Sequence, residues 1–84
     1  MATSRKASLE KLGNSVRARR LALGISQEEL GQRIKLDRTY VSGVERGVRN
    51  PSFIALLKLA NGLSVSLSIL LEGIEDIGEH SSEY

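Results

Sequence analysis

Residues 26–50, SQEELGQRIKLDRTYVSGVERGVRN, read as two short helices meeting at a tight corner. Ser26-Gln27-Glu28-Glu29 has the form of a capping box: the Ser26 hydroxyl can accept from the Glu29 amide while the Glu29 carboxylate reaches back to the Ser26 amide. Leu30 and Ile34, one helical turn apart, would share the inward face, and that helix should end near Ile34. Lys35-Leu36 makes the corner. Asp37 caps the next helix, Val41 and Val44 point inward, and Gly47 is the expected left-handed stop. The second helix therefore opens on Asp37-Arg38-Thr39-Tyr40, with hydrogen-bonding side chains at its tip and basic residues behind. Such a tip suits a helix that probes a groove in double-stranded DNA.

Outward from this stretch, helix signals continue. A loose arm over residues 1–8 precedes a helix from about Leu9 to Leu23, with Leu9, Leu12 and Val16 on one stripe and Gly24 ending it. Asn50-Pro51-Ser52 is a break followed by a fresh cap. Phe53, Leu56, Leu57 and Ala60 would form the apolar face of the next helix, which ends near Gly62. Ser66 can cap a short last helix carrying Leu67, Ile69, Leu70 and Leu71, closed by Gly73, and an acidic tail fills 74–84. No stretch alternates polar and apolar residues for long, so strands are not expected. The expectation is an all-α domain, a compact five-helix unit with a helix-turn-helix, over residues 9–73.

Eighty-four residues hold one small core. There is no cysteine, hence no disulfide framework and no thiolate zinc site. His80, the only histidine, has no metal-ligating or nucleophilic partner nearby, and the glycines form no phosphate loop. An enzyme is not expected, nor is any cofactor. No segment has the run of apolar residues that a membrane span needs, and no secretory signal precedes the first helix, so the cytoplasm is the expected compartment. The net charge of +2 hides an asymmetry: residues 1–50 carry eleven Lys or Arg against five acids, while residues 51–84 carry only Lys58 against five acids. A basic half beside an acidic half suits a protein with one face for a polyanion; solvated charge clustered by chance is the plainer reading.

Together, Leu23-Gly24-Ile25-Ser26-Gln27-Glu28-Glu29-Leu30, then residues 37–47 (DRTYVSGVERG) and Arg49-Asn50-Pro51-Ser52 resemble the Xre family of phage-repressor-like helix-turn-helix regulators. The likeness spans roughly Leu12 to Gly73. The wording of residues 36–46, LDRTYVSGVER, is similar to that of restriction–modification controller proteins, and many other small bacterial regulators share it. The resemblance implies a five-helix lambda-repressor-like fold, a homodimer, and binding to a pseudo-palindromic operator. Two positions depart from the family pattern. Lys35 stands at a corner that often carries glycine, and Gly31 stands where a helix-favouring alanine is common.

Arg38 is the strongest candidate for reading a base, because its fork matches the O6 and N7 acceptors of guanine; contact with phosphate alone is the alternative. Thr39 could bond a base edge, press its methyl on thymine, or bind phosphate. Ser42 shares the Arg38 face, and Gly43, lacking a side chain, would permit close approach to a groove. For Tyr40 the resemblance implies the DNA backbone or a base step, and burial against the preceding helix is as open. Gln27, at the amide-rich start of its helix, suits a phosphate oxygen, as the family pattern implies. Arg46, Arg49 and Asn50 would flank the groove and clasp phosphates, or else be simple solvated groups. By resemblance, Arg20 and Glu45 form a structural ion pair.

Two functional classes follow. One is a dimeric transcription regulator acting on duplex DNA, able to block RNA polymerase or recruit it, with Val65, Leu67, Ile69, Leu70 and Ile74 as the dimer interface because they cannot all face one core. No second domain to sense a small-molecule ligand is expected. The other is an antitoxin-type interaction module whose tail, with Ile74, Ile77 and Tyr84 among acids, orders on a partner protein. A basic amphipathic helix lying on a membrane fits poorly, since Arg17, Arg19, Arg20 and Arg33 belong to a capped globular pattern.

Overall fold

The computed structural model describes residues 4–74. They form five helices in chain order: α1 (Arg5–Leu23), α2 (Gln27–Ile34), α3 (Arg38–Glu45), α4 (Phe53–Gly62) and α5 (Leu67–Leu70). No strand occurs among the described residues, and the architecture is the all-α, five-helix one expected. Residues 1–3 of the expected arm and 75–84 of the expected tail, including Ile77, His80 and Tyr84, lie outside the described residues.

Helix α1 begins earlier than the apolar pattern suggests. Ser4 is its cap, accepting from the Ala7 amide at 3.0 Å, so residues 5–8 are helical rather than part of an arm. A cap and good helix formers suffice to start a helix before its first buried residue. At the other end Gly24 takes φ 71, as its position implies. The capping box of α2 is formed in both directions, each bond 3.0 Å long.

The corner between α2 and α3 accounts for both departures from the family pattern. Lys35 adopts φ 59, the left-handed region that costs a non-glycine residue strain. The chain then doubles back so closely that the Leu36 amide donates to the Gly31 carbonyl at 3.0 Å. A Cβ on Gly31 would lie 2.6 Å from the Leu36 carbonyl oxygen. The glycine gives up helix propensity and gains a tighter corner.

All five helices contribute to one core: Leu12 and Val16 of α1, Leu30 and Ile34 of α2, Val41 and Val44 of α3, Leu59 and Ala60 of α4, and Leu70 of α5. Helix α1 crosses the end of α3 at backbone contact, because any side chain at Gly13 would collide with the carbonyls of Val44 and Glu45. Ser15 donates to the Leu70 carbonyl at 2.7 Å, and Arg19 to that of Ile69 at 3.3 Å. Arg33 donates to the Gly62 carbonyl, also at 3.3 Å. These bonds fasten the last carbonyls of α4 and α5, which have no partner within their own helices.

Two apolar assignments need correction. In α4 the inward stripe is Ala55, Leu59 and Ala60, continued by Leu63, and Leu56 is half-buried. Phe53 and Leu57 face outward with Ile54. The sequence pattern allows either stripe, and packing of α4 against α2 and the rest of the core sets which one turns in. In the segment expected to form a dimer interface, Leu70 is fully buried in its own protomer. Val65, Leu67 and Ile74 pack half-buried on the core, and only Ile69 is exposed. One small core does take up most of these residues after all.

Candidate nucleic-acid interface

Helix α3 presents its N-terminal tip to solvent, and the cap sets its geometry. Asp37 Oδ1 accepts from the Thr39 amide at 2.8 Å and from the Thr39 hydroxyl at 2.9 Å. These bonds, the backbone one first, hold the Asp37 carboxyl below the ordinary aspartate range. The Thr39 hydroxyl donates to the cap, so toward a ligand it offers its lone pairs and its methyl. Arg38 is exposed, and no hydrogen bond or ion pair among the described residues engages its guanidinium. Its five donors are free to meet a base edge or a phosphate.

Behind the tip the surface differs from the sequence expectation. Ser42 is half-buried and accepts from Arg46 Nε at 3.3 Å, so two candidates bond each other. Tyr40 packs half-buried against the core edge, and its ring carries the Arg49 guanidinium 4.7 Å from the centroid. Gly43 is buried: a Cβ there would lie 3.4 Å from Arg49 Cβ, 3.5 Å from Arg49 Nε and 3.9 Å from Val48 Cγ2. The bare backbone anticipated at Gly43 is therefore covered, because the chain turns at Gly47 and lays Arg49 back over it. Arg46 and Asn50 are exposed on either side of this loop.

At the opposite, C-terminal end of α3 lies the ion pair that the resemblance implies. Arg20 Nε and Nη2 meet Glu45 Oε2 and Oε1 at 2.7 and 3.0 Å, and Arg20 Nη1 donates to the Ile25 carbonyl at 2.9 Å. Both residues are only 8% exposed. The hydrogen bonds to Glu45 raise the Arg20 pKa above its ordinary value, so the guanidinium keeps its charge. Gln27 is a third partner: its Nε2 donates to Glu45 Oε1 at 3.1 Å. One N–H of that amide is thus committed inward, and the other remains beside the start of α2. The network joins α1, α2 and α3 in one rigid frame. Nothing in sequence spacing marked Gln27 as a partner of Glu45, or Arg49 as a partner of Tyr40, because both pairs depend on how the loops return.

This arrangement, a capped pair of short helices with the second projecting its tip, defines a class of protein: the chain belongs to the helix-turn-helix family, whose model matches residues 16–70. Among its relatives is the control protein C.MunI of a Mycoplasma species, 41% identical over 66 residues, which are 77% of this chain and 89% of that protein. Among solved structures it is similar to the restriction–modification controller protein C.AhdI of Aeromonas hydrophila, with TM-score 0.75, 48% identity, and coverage of 76% of this chain and 97% of that one. It is also similar to the controller protein C.Esp1396I, solved as a tetramer with its natural 35 base-pair operator, with TM-score 0.72 and 37% identity over 80% of this chain and 88% of that one. The family read from the sequence is the one found.

Proposed function

We propose that the chain is a homodimeric, sequence-specific regulator of transcription that binds a pseudo-palindromic DNA operator and controls a restriction–modification operon. The observation that carries this reading is the exposed, unengaged Arg38 at the capped tip of α3, mounted on the Arg20–Glu45–Gln27 frame. Similarity to control proteins, one of them solved on its operator, supports the choice of ligand and operon.

In this mechanism α3 enters the major groove. Arg38 reads a guanine, Thr39 contacts a neighbouring base, and Ser42 acts through the Arg46 it orients. Gln27 with the first amides of α2, the Tyr40 hydroxyl, Arg46 and Asn50 bind backbone phosphates and set the register. The dimer forms through apolar side chains left bare on the protomer, Phe53, Ile54 and Leu57 of α4 with Ile69 of α5, on helices that pack together. Two recognition helices then lie one helical turn of duplex apart. Occupancy of the promoter blocks RNA polymerase, and occupancy just upstream recruits it. No helix among the described residues is long and apolar enough to cross a membrane.

The test is selection of bound sequences from random duplexes, by the wild type and by Arg38→Ala. The wild type is expected to enrich a symmetric site. The variant is expected to lose preference at one symmetric position, by about 1–3 kcal/mol of discrimination. Enrichment of no sequence by the wild type overturns the reading.

A further inference from the structure

We infer that the cleft between the C-terminal end of α1 and the turn joining α4 to α5 is a binding site for a small carboxylate with an apolar body, seated on Arg19. The inference goes beyond the proposed regulation of transcription and does not rest on DNA binding, since none of the residues assigned to DNA lines this cleft.

Arg19, Ala22 and Leu23 form one wall, at the helical spacing that puts them on one face of α1. Leu63, Ser64 and Val65, in the turn after α4, form the other. Ser64 holds φ 61 there, a backbone conformation that costs a non-glycine residue strain. Apart from the Ser64 hydroxyl and the Arg19 guanidinium, the lining is apolar. The cleft encloses about 240 Å³, just under the range of about 300–1,000 Å³ in which larger organic ligands are held. It admits a single ring or a short branched chain.

The state of Arg19 gives the ligand its charge. The side chain is half-buried, its Nη2 donates to the Ile69 carbonyl at 3.3 Å, and no carboxylate pairs with it among the described residues. Its Nε is buried with no hydrogen-bond partner among them. Coverage of apolar surface by the alkyl stem accounts for a long cation beside Leu23 and Val65. It does not account for a buried donor left without an acceptor, which folded proteins rarely tolerate. A carboxylate against the guanidinium fork brings acceptors and a counter-charge together. One cation balances one carboxylate, whereas a phosphate would carry a further negative charge into apolar walls with nothing to meet it. Because the same guanidinium holds the Ile69 carbonyl, an occupant would join α1 and the turn to α5. A chain of one small domain thus has a place for an effector within that domain.

The test titrates the full chain with phenylacetate and with its neutral counterpart phenylacetamide, read by amide chemical shifts in isotope-labelled protein. Phenylacetate is expected to bind saturably, with shifts confined to residues 19–23 and 63–65 and to Ile69, and phenylacetamide to bind at least about 10-fold more weakly. Arg19→Gln, which removes the charge, is expected to weaken phenylacetate by roughly 10- to 100-fold. Ala22→Phe, at an exposed helix position on the rim, narrows the cleft and should abolish binding with Arg19 still in place. Arg17→Gln, on another face of α1, should leave binding unchanged, and thermal melting confirms that each variant folds. Shifts that never saturate, or that survive Arg19→Gln, would mark loose attraction to surface cations and overturn the inference, as would equal binding of phenylacetamide. The acids of residues 75–84 are another source of carboxylate. Binding that appears only in the combined variant Glu75→Gln, Asp76→Asn, Glu79→Gln and Glu83→Gln would identify the chain itself as that source and remove the small-molecule site.

Discussion

At the scale of single residues, the buried Arg20–Glu45 pair shows how charge serves as scaffold. Its two parallel hydrogen bonds, with a third from Gln27 and a fourth to the Ile25 carbonyl, satisfy both charged groups inside the fold. Taking two ions out of water costs more than their attraction alone returns, so the extra partners are what make the arrangement tolerable. Removal of one partner leaves the other charged and buried. Glu45→Ala is therefore expected to destabilise the fold by about 3–5 kcal/mol, measured by urea denaturation. The double change Arg20→Met with Glu45→Leu should cost far less, since no unpaired charge remains. An equal loss in the double variant would show that the pair matters for shape rather than for charge balance.

At the scale of elements, the helix boundaries with chemical punctuation were legible in the sequence: the Ser26–Glu29 box, the Asp37 cap, and the stops at Gly24 and Gly47 are as read. The start of α1, the stripe that α4 buries and the cover over Gly43 were not, because each depends on tertiary contacts that local periodicity leaves undetermined. The corner supplies one test. Lys35 holds φ 59, and Lys35→Gly should relieve that strain while adding freedom to the unfolded chain. The net expectation is a gain of up to about 1 kcal/mol, seen as a higher denaturation midpoint at unchanged slope. The α3 cap supplies another. Because Thr39 depresses the Asp37 pKa in the folded state, the cap's contribution is fully present above the ordinary aspartate range and is lost as pH falls through the depressed value. Asp37→Asn keeps an acceptor at the cap but cannot titrate there. Its melting temperature should fall less than that of the wild type on acidification, and parallel profiles would remove Asp37 from the account.

At the scale of the whole molecule, the charge asymmetry and the apolar surface bear on one assembly. Eleven of the twelve basic residues precede Pro51, the half that contains the α3 tip, whereas the bare apolar side chains Phe53, Ile54, Leu57 and Ile69 belong to α4 and α5. A dimer through the latter leaves both α3 tips free and ties two weak half-site contacts into one binding event, with affinity gained through effective concentration rather than new contacts. Ile54 is 59% exposed in the protomer, so Ile54→Glu should leave the protomer folded and place a charge in the proposed interface. The expected outcome is a sedimenting monomer with unchanged helical circular dichroism. It should bind an isolated half-site as the wild type does and lose the advantage of the full palindrome. Its affinity should also fall less steeply with salt on the full site, because one protomer neutralises fewer phosphates than two. A dimer that survives Ile54→Glu with its salt dependence intact would move the interface elsewhere on α4 and α5. A monomer that still prefers the full palindrome would show that the two half-sites are joined by contacts formed only on DNA.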